Sequence, residues 1–144
     1  MASTPPAEAV VKHMHLACAD HASSVAFFEK YFGFRFERSI PRGEGKATTV
    51  IRDAGGFQIA LEADPENARL PKWFHLGMLV ATAEQCRALF ERMAADGVTI
   101  VEPLRENGPL LTYLCADPDG HELQVYWDPA ASSSELRPRA AAAS

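Results

Sequence analysis

"HMHLACADHASSVAFFEKYFGF", residues 13–34, and "HLGMLVATAEQCRALFERMAADGV", residues 75–98, share one layout. Each opens with a short apolar-rich run, passes a polar residue, and continues with large apolar residues every three or four positions. His13 with Met14 to Cys18 corresponds to His75 with Leu76 to Val80, 62 residues on, and Phe28 and Glu29 match Phe90 and Glu91 at the same offset. Two residues are then gained. At an offset of 64, Gly33 matches Gly97, Thr48 matches Thr112, Asp53 matches Asp117 and Gly56 matches Gly120. These sparse identities carry weight because each falls at the same place in a repeated hydrophobic pattern.

Within one unit the pattern predicts a strand, a helix and three more strands. "HMHLACA" and "HLGMLVA" read as strands. The helix that follows has a start signal in both halves: Asp20 in the first, and Thr82 with Gln85 three residues later, a capping box, in the second. Cys86, Leu89, Phe90 and Met93 fall on one helical stripe, as do Phe28, Tyr31 and Phe32, and these read as core. Gly33 and Gly97 sit where a helix end favours a left-handed residue. The remaining strands are "FRFER", "ATTVIRD" and "FQIALEA", then "VTIVE", "LTYLCAD" and "ELQVYW", with the turns "DAGG" and "DPDG" before the last strand of each set. The expected fold is therefore α+β, two tandem βαβββ modules. A unit of about 55 residues is marginal alone, so the two should share a core and form a cupped mixed sheet.

Bulk composition narrows the function. The chain has 144 residues, 47% of them hydrophobic, enough for one domain with a real core. There are 14 basic and 19 acidic residues, a formal net charge of −5, and no basic run, which argues against nucleic acid as a partner. Cys18, Cys86 and Cys115 share no metal-type spacing and read as buried thiols of a reducing compartment. No apolar run approaches a membrane span and no charged-then-apolar leader is present, so the expected setting is cytoplasmic, with no membrane partner. The ends, residues 1–9 and 130–144, are rich in Ala, Ser and Pro and are expected to be disordered. A single domain is expected over 10–129, with module one at 10–64 and module two at 71–129.

His13 and His15 are two apart on the first strand and so point to the same face. They are either hydrogen-bonded histidines on a half-wet sheet or residues lining a site. His21, at a helix start, and His121, in a turn, read as surface residues. "PRGEGK", residues 41–46, reads as a solvated hairpin turn or as a rim loop that contacts an anion.

On its doubled βαβββ modules the chain resembles the vicinal oxygen chelate superfamily, which includes glyoxalase I, bleomycin-resistance proteins, fosfomycin-resistance enzymes, methylmalonyl-CoA epimerase and extradiol dioxygenases. "HMHLACADHASSVAFFEKYFGF" fits that superfamily's opening strand and helix, and "DPDGHELQVYW" its closing hairpin. The resemblance implies metal ligands from the first and last strand of each module. By position these are His13, Ala60, His75 and Gln124. Ala60 cannot ligate, which leaves His13, His75 and Gln124 as the implied set for Fe(II), Mn(II), Ni(II) or Zn(II). A set of two imidazoles and an amide has no formal negative charge and should hold an ion weakly. Where the dioxygenases carry a Tyr, three residues before the hairpin Asp, this chain has Leu114.

Two carboxylates lie near these positions, Glu62 two beyond Ala60 and Glu122 two before Gln124. If the first and last strands of module one are parallel neighbours, as the resemblance implies, His15 and Glu62 sit side by side. A carboxylate beside an imidazole is how a general base is built. Trp73, Tyr126 and Leu79 share the parity of His75 and Gln124 and are expected to form an apolar, aromatic substrate cup. The implied protein is a small-molecule-processing enzyme of dioxygenase, lyase or epimerase type. The alternative is a metal-free ligand- or drug-binding protein of the bleomycin-resistance type. A homodimer is expected in either case, because such modules expose unpaired strand edges.

Overall fold

A computed structural model describes residues 3–66, 70–71 and 73–131. The element order is β1(His13–Cys18), α1(His21–Phe32), β2(Arg35–Gly43), β3(Lys46–Arg52), β4(Gln58–Ala63), β5(His75–Leu79), α2(Ala83–Ala95), β6(Ile100–Asn107), β7(Leu110–Ala116) and β8(Glu122–Trp127). This is βαβββ twice. Each module makes its own four-stranded mixed sheet, β1-β4-β3-β2 and β5-β8-β7-β6, with the first strand parallel to the last. Residues 3–12 are exposed and form neither helix nor strand. The tail expected to be disordered, 130–144, lies outside the described residues from 132 onward.

Local chemistry sets the element ends. Asp20 Oδ2 accepts the Ser23 N–H at 3.0 Å and the Ser23 hydroxyl at 2.7 Å, which satisfies part of the free α1 N-terminus. Thr82 Oγ1 accepts the Gln85 N–H at 3.1 Å at the start of α2. Gly33 ends α1 at φ 68°, a conformation that costs glycine nothing. β2 and β6 run further than the sequence pattern suggests, to Gly43 and Asn107, as the outer strands of long hairpins. "PRGEGK" is accordingly the tip of the β2–β3 hairpin rather than a separate loop, with only Glu44 and Gly45 outside the strands.

One face of each sheet packs into a common core of Leu16, Phe28, Ile51, Ile59 and Leu61 with Met93, Tyr113, Leu123 and Val125. Cys18, Cys86 and Cys115 are free thiols, each 0% exposed within this core. Module two grips module one through polar contacts. Asp119 accepts the Ala19 N–H at 2.8 Å and the Ser24 hydroxyl at 3.3 Å, and His121 Nε2 lies 2.7 Å from the Ala17 carbonyl. Asp96 receives the Tyr31 hydroxyl at 2.8 Å and pairs with Lys30. The surface role expected for His121 is thus corrected. The residue is 2% exposed, because the "DPDG" turn folds inward onto the β1–α1 connection.

Candidate functional site

The face of the first sheet that does not enter the core carries His13, His15, Arg38, Arg42 and Thr48. With Ile40, Val50, Gln58 and Ala60 they line a cavity of about 160 Å³. The β1–β4 register sets His13 beside Gln58, His15 beside Ala60 and Ala17 beside Glu62. The ladder is therefore offset by one side-chain pair from the side-by-side placement of His15 and Glu62. The long Glu62 side chain reaches back along the strand, and its Oε1 lies 3.0 Å from His15 Nδ1.

The protons of this contact can be assigned. An ionised carboxylate only accepts, so His15 Nδ1–H is the donor of this contact and Nε2 lies outside it. Thr48, 0% exposed, donates its hydroxyl to the same Glu62 oxygen at 2.7 Å and accepts Arg42 Nε–H at 2.8 Å. Arg42, Thr48, Glu62 and His15 form one chain of hydrogen bonds across all four strands of the first sheet. A carboxylate behind an imidazole orients either a general base or a metal-ligating nitrogen. The His13 ring stands edge-on to His15, with centroids 5.7 Å apart.

Module two repeats the frame with different chemistry. Thr112, the counterpart of Thr48, accepts the Gln124 side-chain N–H at 3.1 Å, which leaves the amide oxygen of Gln124 free to accept a hydrogen bond or to ligate. His75 Nδ1 lies 3.2 Å from the Trp73 carbonyl, so Nδ1 carries the hydrogen and Nε2 is free to accept or ligate. His75 sits beside Glu122 in the ladder, and Gly77 beside Gln124. Gly77 stands where module one has His15, and Tyr126 where it has Glu62. A Cβ on Gly77 would come within 3.3 Å of Tyr126 Cε1, so the ring lies over the glycine. The imidazole–carboxylate pair belongs to module one alone.

Strand parity does not bring Trp73 together with Tyr126 and Leu79. β5 begins at His75, so strand parity does not extend back to Trp73, which is 78% exposed. Leu79 lines a separate cavity of about 680 Å³ between the modules, with Tyr31, Phe34, Asp53 and Met78 among its walls. His13 and His75 lie in different sheets, and the cavity lined by His13 does not include His75.

A cluster outside the expected set can hold a cation. One ligand atom each from Asp117, Asp119 and His121 lies within 4.8 Å of the others. Asp117 and His121 are buried, and burial holds the Asp117 carboxyl above the usual carboxylate range against the opposing pull of the His121 charge.

Thr48 and Arg42 are the participants that sequence reasoning missed. Thr48 left a trace in the repeat, as the match to Thr112, but a threonine in a strand is ordinary enough to pass for core. Arg42 falls within "PRGEGK", which reads from sequence only as a hairpin turn or an anion-contacting rim loop, because the length of β2 was not legible.

Comparison with known proteins agrees with this architecture. Residues 10–125 match the family model described as the Glyoxalase/Bleomycin resistance protein/Dioxygenase superfamily. A possible glyoxalase from Bacillus cereus is 30% identical, with TM-score 0.69, covering 81% of this chain and 96% of that one. The fosfomycin resistance protein FosX from Listeria monocytogenes is 18% identical, with TM-score 0.72 and coverage of 90% and 99%. TioX from Micromonospora sp. ML1 is 23% identical, with TM-score 0.60 and coverage of 83% and 98%. No curated protein matches the sequence. No helix among the described residues is long and apolar enough to cross a membrane. With 116 of its 144 residues inside the family model and two βαβββ modules in its fold, the chain belongs to the glyoxalase/bleomycin resistance protein/dioxygenase superfamily.

Proposed function

We propose that this chain is a small-molecule-processing enzyme whose chemical step is a proton transfer by His15, of lyase or epimerase type. The observation that carries this reading is the 3.0 Å contact between His15 Nδ1 and Glu62, held from behind by Thr48. Glu62 fixes the tautomer, and His15 Nε2 accepts the substrate proton. An imidazole so backed serves a step that creates or quenches charge at carbon, which favours lyase or epimerase chemistry over dioxygenase chemistry.

His13, His75 and Gln124 are the proposed donors for a divalent ion. His75 Nε2 and the Gln124 amide oxygen are both left free by their neighbours, which fits such a role. The set carries no negative charge, so affinity should be modest, and Glu122 beside His75 is the carboxylate best placed to add it. When bound, an ion would polarise a substrate oxygen. Because His13 and His75 belong to different sheets, we infer that two copies pair so that sheet one of each faces sheet two of the other.

Equilibrium dialysis of the full chain against Mn(II), Fe(II), Ni(II) and Zn(II), read by elemental analysis beside its mass in solution, tests the donor set. Binding should fall in His13→Ala and His75→Ala and rise in Gln124→Glu. Metal binding indifferent to all three would remove the donor set, and a monomer at micromolar concentration would remove the pairing. The uncharged donor set also favours a second reading, a metal-free ligand-binding protein. In that case ligands return chemically unchanged with or without metal, and His15→Gln leaves their affinity unaltered.

A further inference from the structure

The cavity beside His13 and His15 has one wall made by Arg38, Ile40 and Arg42 of β2. Alternate residues of a strand share a face, so both guanidinium groups meet the same space as the imidazoles. Among the described residues, Arg42 uses only Nε, on Thr48 Oγ1, and Arg38 makes no hydrogen bond or ion pair. The acids nearby are already engaged. Glu37, the one acid of β2, receives Arg52 and the Gln58 side-chain N–H at 2.6 Å each, and Glu62 receives His15 and Thr48. The cavity lining thus includes two arginines and no acid, and the two carboxylates nearby are already engaged, on a chain whose formal net charge is −5.

We propose that Arg38 and Arg42 form an oxyanion subsite, and that the ligand of this cavity carries a carboxylate, phosphate or phosphonate group. A guanidinium presents several N–H donors in one plane, matched to the oxygens of such a group. Thr48 holds Arg42 by Nε and so leaves its two terminal nitrogens for the ligand. The same hydroxyl fixes Glu62, and through it His15, so anchor and base share one support. A local positive wall on an acidic protein also concentrates anions at the cavity mouth. The subsite rests on the proposed function only in placing the ligand's reacting atom near His15.

The test is calorimetric titration of the full chain with benzoate and phenylphosphonate, using benzamide as the uncharged control of the same shape. Both anions should bind at least about ten-fold more tightly than benzamide, and more weakly as NaCl rises from about 50 to about 300 mM. Arg38→Gln should cost the anions about ten-fold or more, as expected for a lost charge-assisted contact, and leave benzamide unchanged. Arg38 makes no hydrogen bond or ion pair among the described residues and does not touch Glu62 or His15 by either, so this variant tests the subsite without disturbing the base. Arg42→Gln, checked for intact folding by circular dichroism, should act in the same direction. Equal binding of benzoate and benzamide, no binding of either anion, or anion affinity indifferent to Arg38→Gln would overturn the proposal. His15→Gln separates the two readings. Anion binding that needs Arg38 while turnover ignores His15 removes the base alone, and turnover that needs His15 while anions ignore Arg38 removes the subsite alone.

Discussion

Asp117 is the residue whose replacement should report most directly on how the β7–β8 turn is held. Its side chain is 6% exposed. Oδ1 accepts the backbone N–H groups of Asp119 and His121 at 2.9 Å each, while Oδ2 is buried without a hydrogen-bond partner, as is His121 Nδ1. Asp117→Ala strands two N–H groups in a turn that also carries the Asp119 and His121 contacts to module one. Two bonds to a charged acceptor at about 1.5–3 kcal/mol each, offset by relief of a poorly solvated carboxylate, give a net loss of about 2–4 kcal/mol. Asp117→Asn keeps the accepting oxygen and removes only the titrating charge, so its cost should stay within about 1 kcal/mol. The two variants also differ in their response to pH. Burial raises the folded pKa of Asp117, so the native state holds this proton more tightly than the unfolded chain does. Its contribution is full below the ordinary carboxylate value near 3.9 and is lost as pH rises through the folded value. Wild type should therefore lose stability relative to Asp117→Asn across that window and run parallel to it above. Urea unfolding followed by circular dichroism at several pH values, with equal m-values, measures this. An Asp117→Ala cost below about 1 kcal/mol, or a gap between Asp and Asn that does not change with pH, would refute the reasoning.

Two further outcomes are expected. Burial pushes the Cys18 thiol up to about 11 and the Cys115 thiol up to about 12, so both should resist a thiol reagent at pH 8 in the native state and react in urea; rapid native labelling would contradict the packed core. Asp20→Ala removes the α1 cap and should lower the midpoint of chemical unfolding, whereas no change would mean that solvent replaces the cap.

The architecture was legible because it is written twice. Helix caps at Asp20 and Thr82, the glycine at the end of α1 and both Asp-initiated turns are short-range signals, and a second copy at fixed offset separates them from chance. The site was only partly legible. Strand parity places His13 with His15, but ladder register depends on where a parallel pairing begins, which no local signal encodes, and the observed ladder sets Ala60, not Glu62, beside His15. Parity could not place Trp73 for a related reason, since it has no meaning beyond the strand, and Trp73 precedes β5. His121 looked like a turn residue and is one; only the packing of module two on module one buries it.

At the β7–β8 turn the grip between the modules is directional. Asp119 and His121 reach from the second half to the backbone of the first, at Ala19 and Ala17. The corresponding positions of the first half, Gly55 and Phe57, have no side chain that could return the gesture. Two copies of the first half could not rebuild this joint, although each would contain every strand and helix of the repeat. At this joint the two halves are holder and held, and swapping them would be a change of partner rather than of order.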